Sequence, residues 1–514
     1  MIQRQIIVNH SESETRVAVV EKEHVAELYI ERHRDRGLVG NIYKGGILRV
    51  LPGIQSSFVD ICEMRSAFLY VTDVLNDDFI AQSRKLLADS SHDMSHSELE
   101  HELEKKLKWK KTAIEKLLRE GQTIMVQVSK DPLGNKGARL SMFITFPGRY
   151  LVLSPYFNHI GVSKKIDDDV ERDRLKSVLT PIKPENMAVI VRTAARGVAD
   201  DILVREMQYL VEQWKSVQEK FAAADSPALL HRDLELTQRV VREQYSEEVG
   251  KIIVDDAKLH EKIGRLLSGI SPEAEAKLAL YSGSTPIFDV YGIEMDIDRA
   301  LSKRVELPSG GYIIIDQAEA LTSFDINTGR YVGRSNASDT VLKINLEAVK
   351  AVVAQLRLRN IAGIIVVDFI DMERVADRER VCSELIEELK TDRAKTNVLK
   401  ISDLGLVQMT RKRTSESLEH LLLDDCMHCE GRGKVKSIVT SAHDLLRELA
   451  RIHNQTGKTI LQVRVREDIR DWILEEEREW FQEIVDRWGL TVHFKQSEMT
   501  VAGLTEPVFQ VEAE

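Results

Sequence analysis

Leu321-Thr-Ser-Phe-Asp-Ile-Asn-Thr-Gly329 and, after a helical pattern over Thr340 to Arg359, Gly363-Ile-Ile-Val-Val-Asp-Phe-Ile-Asp-Met372 decide how this chain reads. Side chains alternate along a strand, so Leu321, Ser323, Asp325 and Asn327 fall on one face of the first segment. Asp325 and Asn327 then present their oxygens in the same direction. The second segment opens on an apolar run, which predicts a strand buried on both faces. Asp368 at its end is costly to keep ionised there unless it is paired or liganded. Two carboxylates and an amide oxygen, completed by water or phosphate, form the kind of oxygen set that holds Mg²⁺. That pattern points to phosphate-ester chemistry. The plain alternative is that each aspartate caps a helix or pairs with an arginine, and Arg357 and Arg359 are close in sequence.

Working outward, 514 residues call for several domains rather than one core. Hydrophobic residues at 43% and charged residues at 30% are ordinary for a globular protein. No run approaches the roughly 20 apolar residues of a membrane helix. The first residues, Met1-Ile-Gln-Arg-Gln-Ile-Ile-Val8, lack the apolar core and cleavage site of a signal peptide. With only four cysteines, this predicts a cytoplasmic protein without a disulfide framework. A net charge of −11 neither suggests nor excludes a nucleic-acid partner, because phosphate contacts need only local Lys and Arg. Lys130, Lys136, Arg139, Arg149, Lys164 and Lys165 supply such a basic stretch.

The ordered run Asp316-Gln-Ala-Glu-Ala-Leu-Thr-Ser-Phe-Asp-Ile-Asn-Thr-Gly329, Asn345-Leu-Glu-Ala348, Gln355-Leu-Arg-Leu-Arg359 and Gly363–Met372 closely resembles the catalytic core of the ribonuclease E/G family. The resemblance covers nearly the whole chain, which reads as a compact member without a long disordered tail. It implies that Asp325 and Asp368 bind catalytic Mg²⁺, with Asn327 assisting. The implied activity is endonucleolytic cleavage of single-stranded RNA to 5′-phosphate and 3′-hydroxyl ends, in ribosomal RNA processing and messenger turnover. The implied architecture is multidomain α/β. An OB barrel of the ribosomal S-one type (39–140, with a helical insertion at about 75–119) is inserted in a ribonuclease-H-like subdomain (1–38 and 237–300). A 5′-phosphate sensor region (141–236), a DNase-I-like catalytic α/β subdomain (301–422), a zinc-link (423–436) and a small α/β C-terminal domain (437–514) follow.

Other segments fit that plan. Short alternating strands with Gly and Pro punctuation from residue 2 to residue 60 suit a small barrel. Phe58 and Phe68 are its candidate base-stacking residues, although a strand Phe is commonly core. Lys136, in Gly134-Asn-Lys-Gly137, matches a family lysine on the RNA backbone, and a plain hairpin turn explains the same residues. Residues 86–119 carry Leu103, Leu107, Ile114, Leu117 and Leu118 at helical spacing, either a guard on the RNA path or a solvated excursion. In the family, Arg192 and Thr193 line a pocket for a 5′-monophosphate, and Gly148 and Val152 align with other pocket positions. Lys395 stands where well-known members have arginine, which replaces a bidentate donor by a point charge. From Ile469 to Trp488 the pattern predicts one amphipathic helix.

Cys426-Met-His-Cys429-Glu-Gly-Arg-Gly433 is a Cys-x-x-Cys knuckle. Zinc prefers four ligands, and one knuckle supplies two. A second chain is the economical source of the others, and the family shares one zinc between two protomers, forming a homodimer that can pair into a homotetramer. A Cys₂His site using His428, or a thioredoxin-like redox pair, are the alternatives. Two rival functions remain at this stage: a non-cleaving RNA-binding or ribosome-assembly factor, and a zinc-stabilised structural oligomer.

Overall fold

The computed structural model describes residues 4–33, 37–75, 112–132, 137–246, 248–268, 272–329, 337–402, 405–413, 415–427, 429, 431–496 and 509–513. Lys136, His428 and residues 76–111 of the expected insertion lie outside them. The chain divides into two compact units, Met1–Ser415 and Glu416–Glu514.

Within the first unit, strands Arg4–His10, Glu14–Glu21 and His24–Arg32 form an antiparallel meander. Val249–Val254 joins the meander in parallel beside Arg4–His10, and Leu278–Leu280 extends it. The chain thus leaves this sheet after Arg32 and returns more than two hundred residues later. In between, strands Ile42–Leu51, Ser56–Asp60, Ala67–Tyr70, Arg139–Ser141 and Thr123–Lys130 pair in that order and close back onto Ile42–Leu51. The result is a five-stranded OB-like barrel filled by Ile47, Val59, Leu69, Val126 and Leu140. Of the expected insertion, Ile114–Leu117 is a single helical turn whose Ile114 is sealed into the barrel core, so its end is packed rather than solvated.

A second small sheet, His159–Val162, Ala188–Val191, Leu151–Ser154 and Phe146–Pro147, is backed by helices Asp169–Leu179 and Asp200–Ala223. The third sheet carries the candidate active site. Its order is Arg304–Glu306, Tyr312–Gln317, Leu321–Asn327, Gly363–Asp368, Leu406–Arg411 and Thr396–Val398. The central pair, Leu321–Asn327 and Gly363–Asp368, is parallel, joined through helix Ala337–Leu358 as such a crossover requires. Thr322, Phe324 and Ile326 face that helix, where Ile344, Ala348 and Val352 complete the core.

One expectation fails here. The Gly363–Asp368 strand is buried on one face only: Ile365 and Val367 are sealed, whereas Ile364 is 52% exposed and Leu321 beside it 39%. Among the described residues helices cover a single side of this sheet, so an unbroken apolar run does not by itself mean two covered faces. The other side is open, and the aspartates lie on it.

In the second unit, helix Ile438–Thr456 packs on a sheet of Thr491–Gln496, Ile460–Val465 and Phe509–Ala513. The single helix expected from Ile469 to Trp488 is two, Glu467–Glu475 and Arg478–Trp488. Glu475-Glu-Glu477 places carboxylates where a helix C-terminus disfavours them and the next N-terminus favours them, so the chain breaks there.

Candidate active site and RNA-binding surfaces

Asp325 and Asp368 are direct Cα partners on neighbouring parallel strands, both exposed on the open face of the sheet. Alternation puts Asn327 on that face too, and its Nδ2 donates to Asp325 Oδ2 at 3.0 Å. The amide oxygen of Asn327 is thereby turned away from Asp325. Partial burial, then the charges of Asp325 and Asp371, push the Asp368 carboxyl above its ordinary range. Among the described residues no lysine or arginine pairs with Asp325 or Asp368. The arginine alternative does not hold: Arg357 binds Glu21 and Glu27, and Arg359 binds Gln355 and the Ser302 carbonyl. Nor does either aspartate cap the helix Val375–Glu388, whose N-cap is Arg374.

This donor set fits a hard divalent cation. It offers two adjacent carboxylates with unanswered negative charge and one amide oxygen, leaving the remaining positions to water or substrate, as Mg²⁺ favours. Among the described residues, no group of three or more His, Cys, Asp or Glu could hold a metal by itself.

On the barrel, Phe58 and Phe68 are cross-strand partners with ring centroids 5.9 Å apart. Phe58 is 37% exposed, so it is surface rather than core. Tyr70, which the sequence reading passed over, adds a third ring 4.3 Å from Phe68 and is 40% exposed. Arg139 lies over the Tyr70 ring at 5.0 Å and is anchored by Asp73 at 2.7 Å. Two-residue spacing from Phe68 on one strand face was the available signal for Tyr70.

Gly148 and Arg192 lie side by side: Arg192 Nη1 donates to the Gly148 carbonyl at 2.8 Å. A Cβ on Gly148 would sit 2.7 Å from the Glu206 carboxyl carbon, so only glycine fits that turn. Val152 lies half-buried on the next strand, paired with Ile190. Thr193 is exposed, with its hydroxyl 2.9 Å from Ser163 Oγ. Arg192 is not a free fork, however. Glu243 takes both its terminal nitrogens, at 3.0 and 2.5 Å, and Arg192 in turn lowers the Glu243 pKa despite burial. Lys395 is exposed, and its carbonyl accepts the Lys412 N–H at 2.9 Å. It is Arg393 whose side chain reaches the Glu243 backbone.

In the second unit Cys429 is buried and accepts the Gly433 N–H at 3.2 Å, while Cys426 is exposed. The described residues place no third metal ligand beside the pair.

Residues 145–414 match the model of the ribonuclease E/G family, and residues 425–512 match that of the RNase E/G thioredoxin-like domain. The chain belongs to the ribonuclease E/G family. It is 42% identical over 473 residues to ribonuclease G of Haemophilus influenzae, covering 92% of each chain. It is 44% identical over 450 residues to ribonuclease G of Escherichia coli, covering 88% of each. Ribonuclease E of a Nostoc species is 36% identical over 436 residues, 84% of this chain and 58% of that one. Membership of the ribonuclease E/G family makes this chain an endoribonuclease. No helix among the described residues is long and apolar enough to cross a membrane.

Proposed function

We propose that the chain cuts single-stranded RNA with Mg²⁺ held by Asp325 and Asp368, leaving 5′-phosphate and 3′-hydroxyl ends, in ribosomal RNA processing and messenger turnover. The observation that carries this reading is the side-by-side register of the two carboxylates, with Asn327 on the same open face. Mg²⁺, when bound, supplies positive charge against the charge developing on the scissile phosphate and activates a water for attack. Asp325 is oriented by the Asn327 amide N–H, and the Asn327 oxygen is left to align the water or a phosphate oxygen. The Phe58, Phe68 and Tyr70 rings offer stacking faces worth about 1–3 kcal/mol per base to a single strand. Lys136 belongs to the same proposed path. A factor that only binds RNA needs neither carboxylate, which disfavours the non-cleaving rival.

Arg192, Thr193, Gly148, Val152 and Lys395 form the proposed 5′-monophosphate pocket. A phosphate there must take Arg192 from Glu243. Glu243→Gln keeps the shape of the pocket and removes the competing charge. It should raise the preference for 5′-monophosphorylated over 5′-hydroxyl RNA about three- to tenfold, the scale of a partly exposed ion pair. Matched cleavage rates on the two RNAs test this, and an unchanged or lowered ratio would retire the pocket.

Cys426 and Cys429 are proposed to hold half of a zinc site completed by a second copy, giving a homodimer that can pair into a tetramer. The closed, four-ligand preference of structural zinc supports this. Cys426→Ser with Cys429→Ser should release zinc and lower the mass seen by light scattering. Full mass without zinc would contradict the shared site.

A further inference from the structure

We propose that Asn345 and Glu347, on the helix Ala337–Leu358, are positioning residues that hold the backbone on both sides of the carboxylate pair. The inference rests on the reading of Asp325 and Asp368 above and adds two residues to which that reading gives no role.

Asn345 is completely buried in mid-helix. Its Nδ2 donates to the Ile370 carbonyl at 2.9 Å, and its Oδ1 accepts the Ile370 N–H at 3.1 Å. One side-chain amide thus satisfies both polar groups of a single backbone residue, as a neighbouring strand would. The need is local. The strand ends at Asp368, and Ile370, two residues further, has left the ladder. An apolar side chain at 345 would fill the same space among Ile344, Ala348 and Val349 but would strand two buried polar groups, at about 1–3 kcal/mol each. Asparagine is also a poor helix-interior residue. Its presence is explained by the clamp, and the clamp fixes the backbone between Asp368 and Asp371.

Glu347 acts at the other strand. Its Oε2 accepts the Ser309 N–H at 2.9 Å. Ser309 begins the Ser309-Gly-Gly311 turn into strand Tyr312–Gln317, and Tyr312 is the Cα partner of Asn327. The turn presses against the end of the Asp325 strand: a Cβ on Gly311 would lie 2.8 Å from the Asn327 carbonyl oxygen, and one on Gly329 only 2.3 Å from the Gly310 oxygen. Two side chains of one helix therefore tie down the segments that set the positions of Asp368 and of Asp325 with Asn327.

The test uses Asn345→Ser, Glu347→Ala, Glu347→Gln and Asp368→Asn in the full chain. Folding is followed by circular dichroism and thermal melting, RNA binding by anisotropy in chelator, and Mg²⁺ binding by calorimetry without RNA. Loss of a group that orients a metal ligand typically costs about ten- to a hundredfold in metal affinity or activity. The expected result is a loss of that size in kcat and in Mg²⁺ affinity for Asn345→Ser and Glu347→Ala, with KM for RNA unchanged. Glu347→Gln, which keeps an acceptor oxygen, should recover most of the Glu347→Ala loss. Folded variants with unchanged kcat and Mg²⁺ affinity would overturn the proposal. So would losses that merely track the unfolded fraction and move KM alike. If Asp368→Asn stays fully active, the carboxylate reading itself fails and the proposal falls with it. If Asp368→Asn is inactive while Asn345→Ser and Glu347→Ala keep parental kcat, the positioning role alone is wrong.

Discussion

Asp325→Asn and Asp368→Asn will each abolish cleavage while leaving RNA binding intact. Metal-assisted charge stabilisation is worth several kcal/mol, so kcat should fall by about a thousandfold or more. The barrel rings Phe58, Phe68 and Tyr70 that would bind the strand are on a different sheet from the aspartates, so affinity measured by anisotropy should hardly move. At Asp368 the loss can be separated from misfolding because of the sign of its own shift. Its pKa is raised by partial burial and by Asp325 and Asp371. The fold therefore disfavours the charged form, and the ionised carboxylate costs stability at neutral pH. Neutralising it as asparagine should leave the melting temperature equal or slightly higher. A variant that loses activity without losing stability marks a functional group, and one that melts early does not. Retained cleavage in either variant would remove the assignment.

The second large effect is on stability. Arg357 is almost wholly buried and donates to Glu21 at 2.9 and 3.1 Å and to Glu27 at 2.9 Å, tying the helix Ala337–Leu358 to the N-terminal sheet. Arg4, Tyr29 and Gln244 complete the cluster. Burial raises the pKa values of both glutamates, but the Arg357 pairing, with Arg4 at Glu21 and Tyr29 at Glu27, outweighs it and holds them below the ordinary range. Arg357→Met removes the cation and leaves the half-buried Glu21 and the more deeply buried Glu27 without their shared partner. Because Arg4, Tyr29 and Gln244 remain, the loss should lie at the low end of the range for a broken buried pair, about 3 kcal/mol. The sign with pH follows. Glutamates with lowered folded pKa values contribute stability above the ordinary value of about 4.3 and lose it as pH falls through the folded values. In the variant the same burial acts without the arginine, so acid relieves it. Chemical denaturation at pH 7 and again below pH 4 should therefore show a large gap between parent and Arg357→Met that narrows in acid. A gap of under 1 kcal/mol at pH 7 would mean the cluster is solvated and weak.

Much of the sheet that carries Asp325 and Asp368 was legible because the signals are local. Alternation placed Asp325 and Asn327 on one face, and the structure has buried Thr322, Phe324 and Ile326 opposite them. The helix expected from Thr340 to Arg359 runs from Ala337 to Leu358. What could not be read depends on contacts distant in the chain. That Glu243 would occupy Arg192 spans 51 positions, and that Arg357 would engage Glu21 rather than an active-site aspartate spans 336. Neither leaves a periodicity. The open face of Gly363–Asp368 was missed because apolar content reports hydrophobicity, not which side a helix covers. Strand Phe509–Ala513 was missed because it is five residues long and becomes a strand by pairing with Ile460–Val465. Asn345 stood inside a quoted motif, yet its partner Ile370 is fixed only by the packed helix.

The most direct test of the account is cleavage of one short 5′-monophosphorylated single-stranded RNA by the parent chain and by Asp368→Asn across a Mg²⁺ titration, with and without chelator. The account predicts cutting by the parent that vanishes on chelation, returns with Mg²⁺ and leaves 5′-phosphate and 3′-hydroxyl ends, and none by Asp368→Asn at any Mg²⁺ concentration. Cutting that survives chelation, or an Asp368→Asn variant that cuts as fast as the parent, would contradict it.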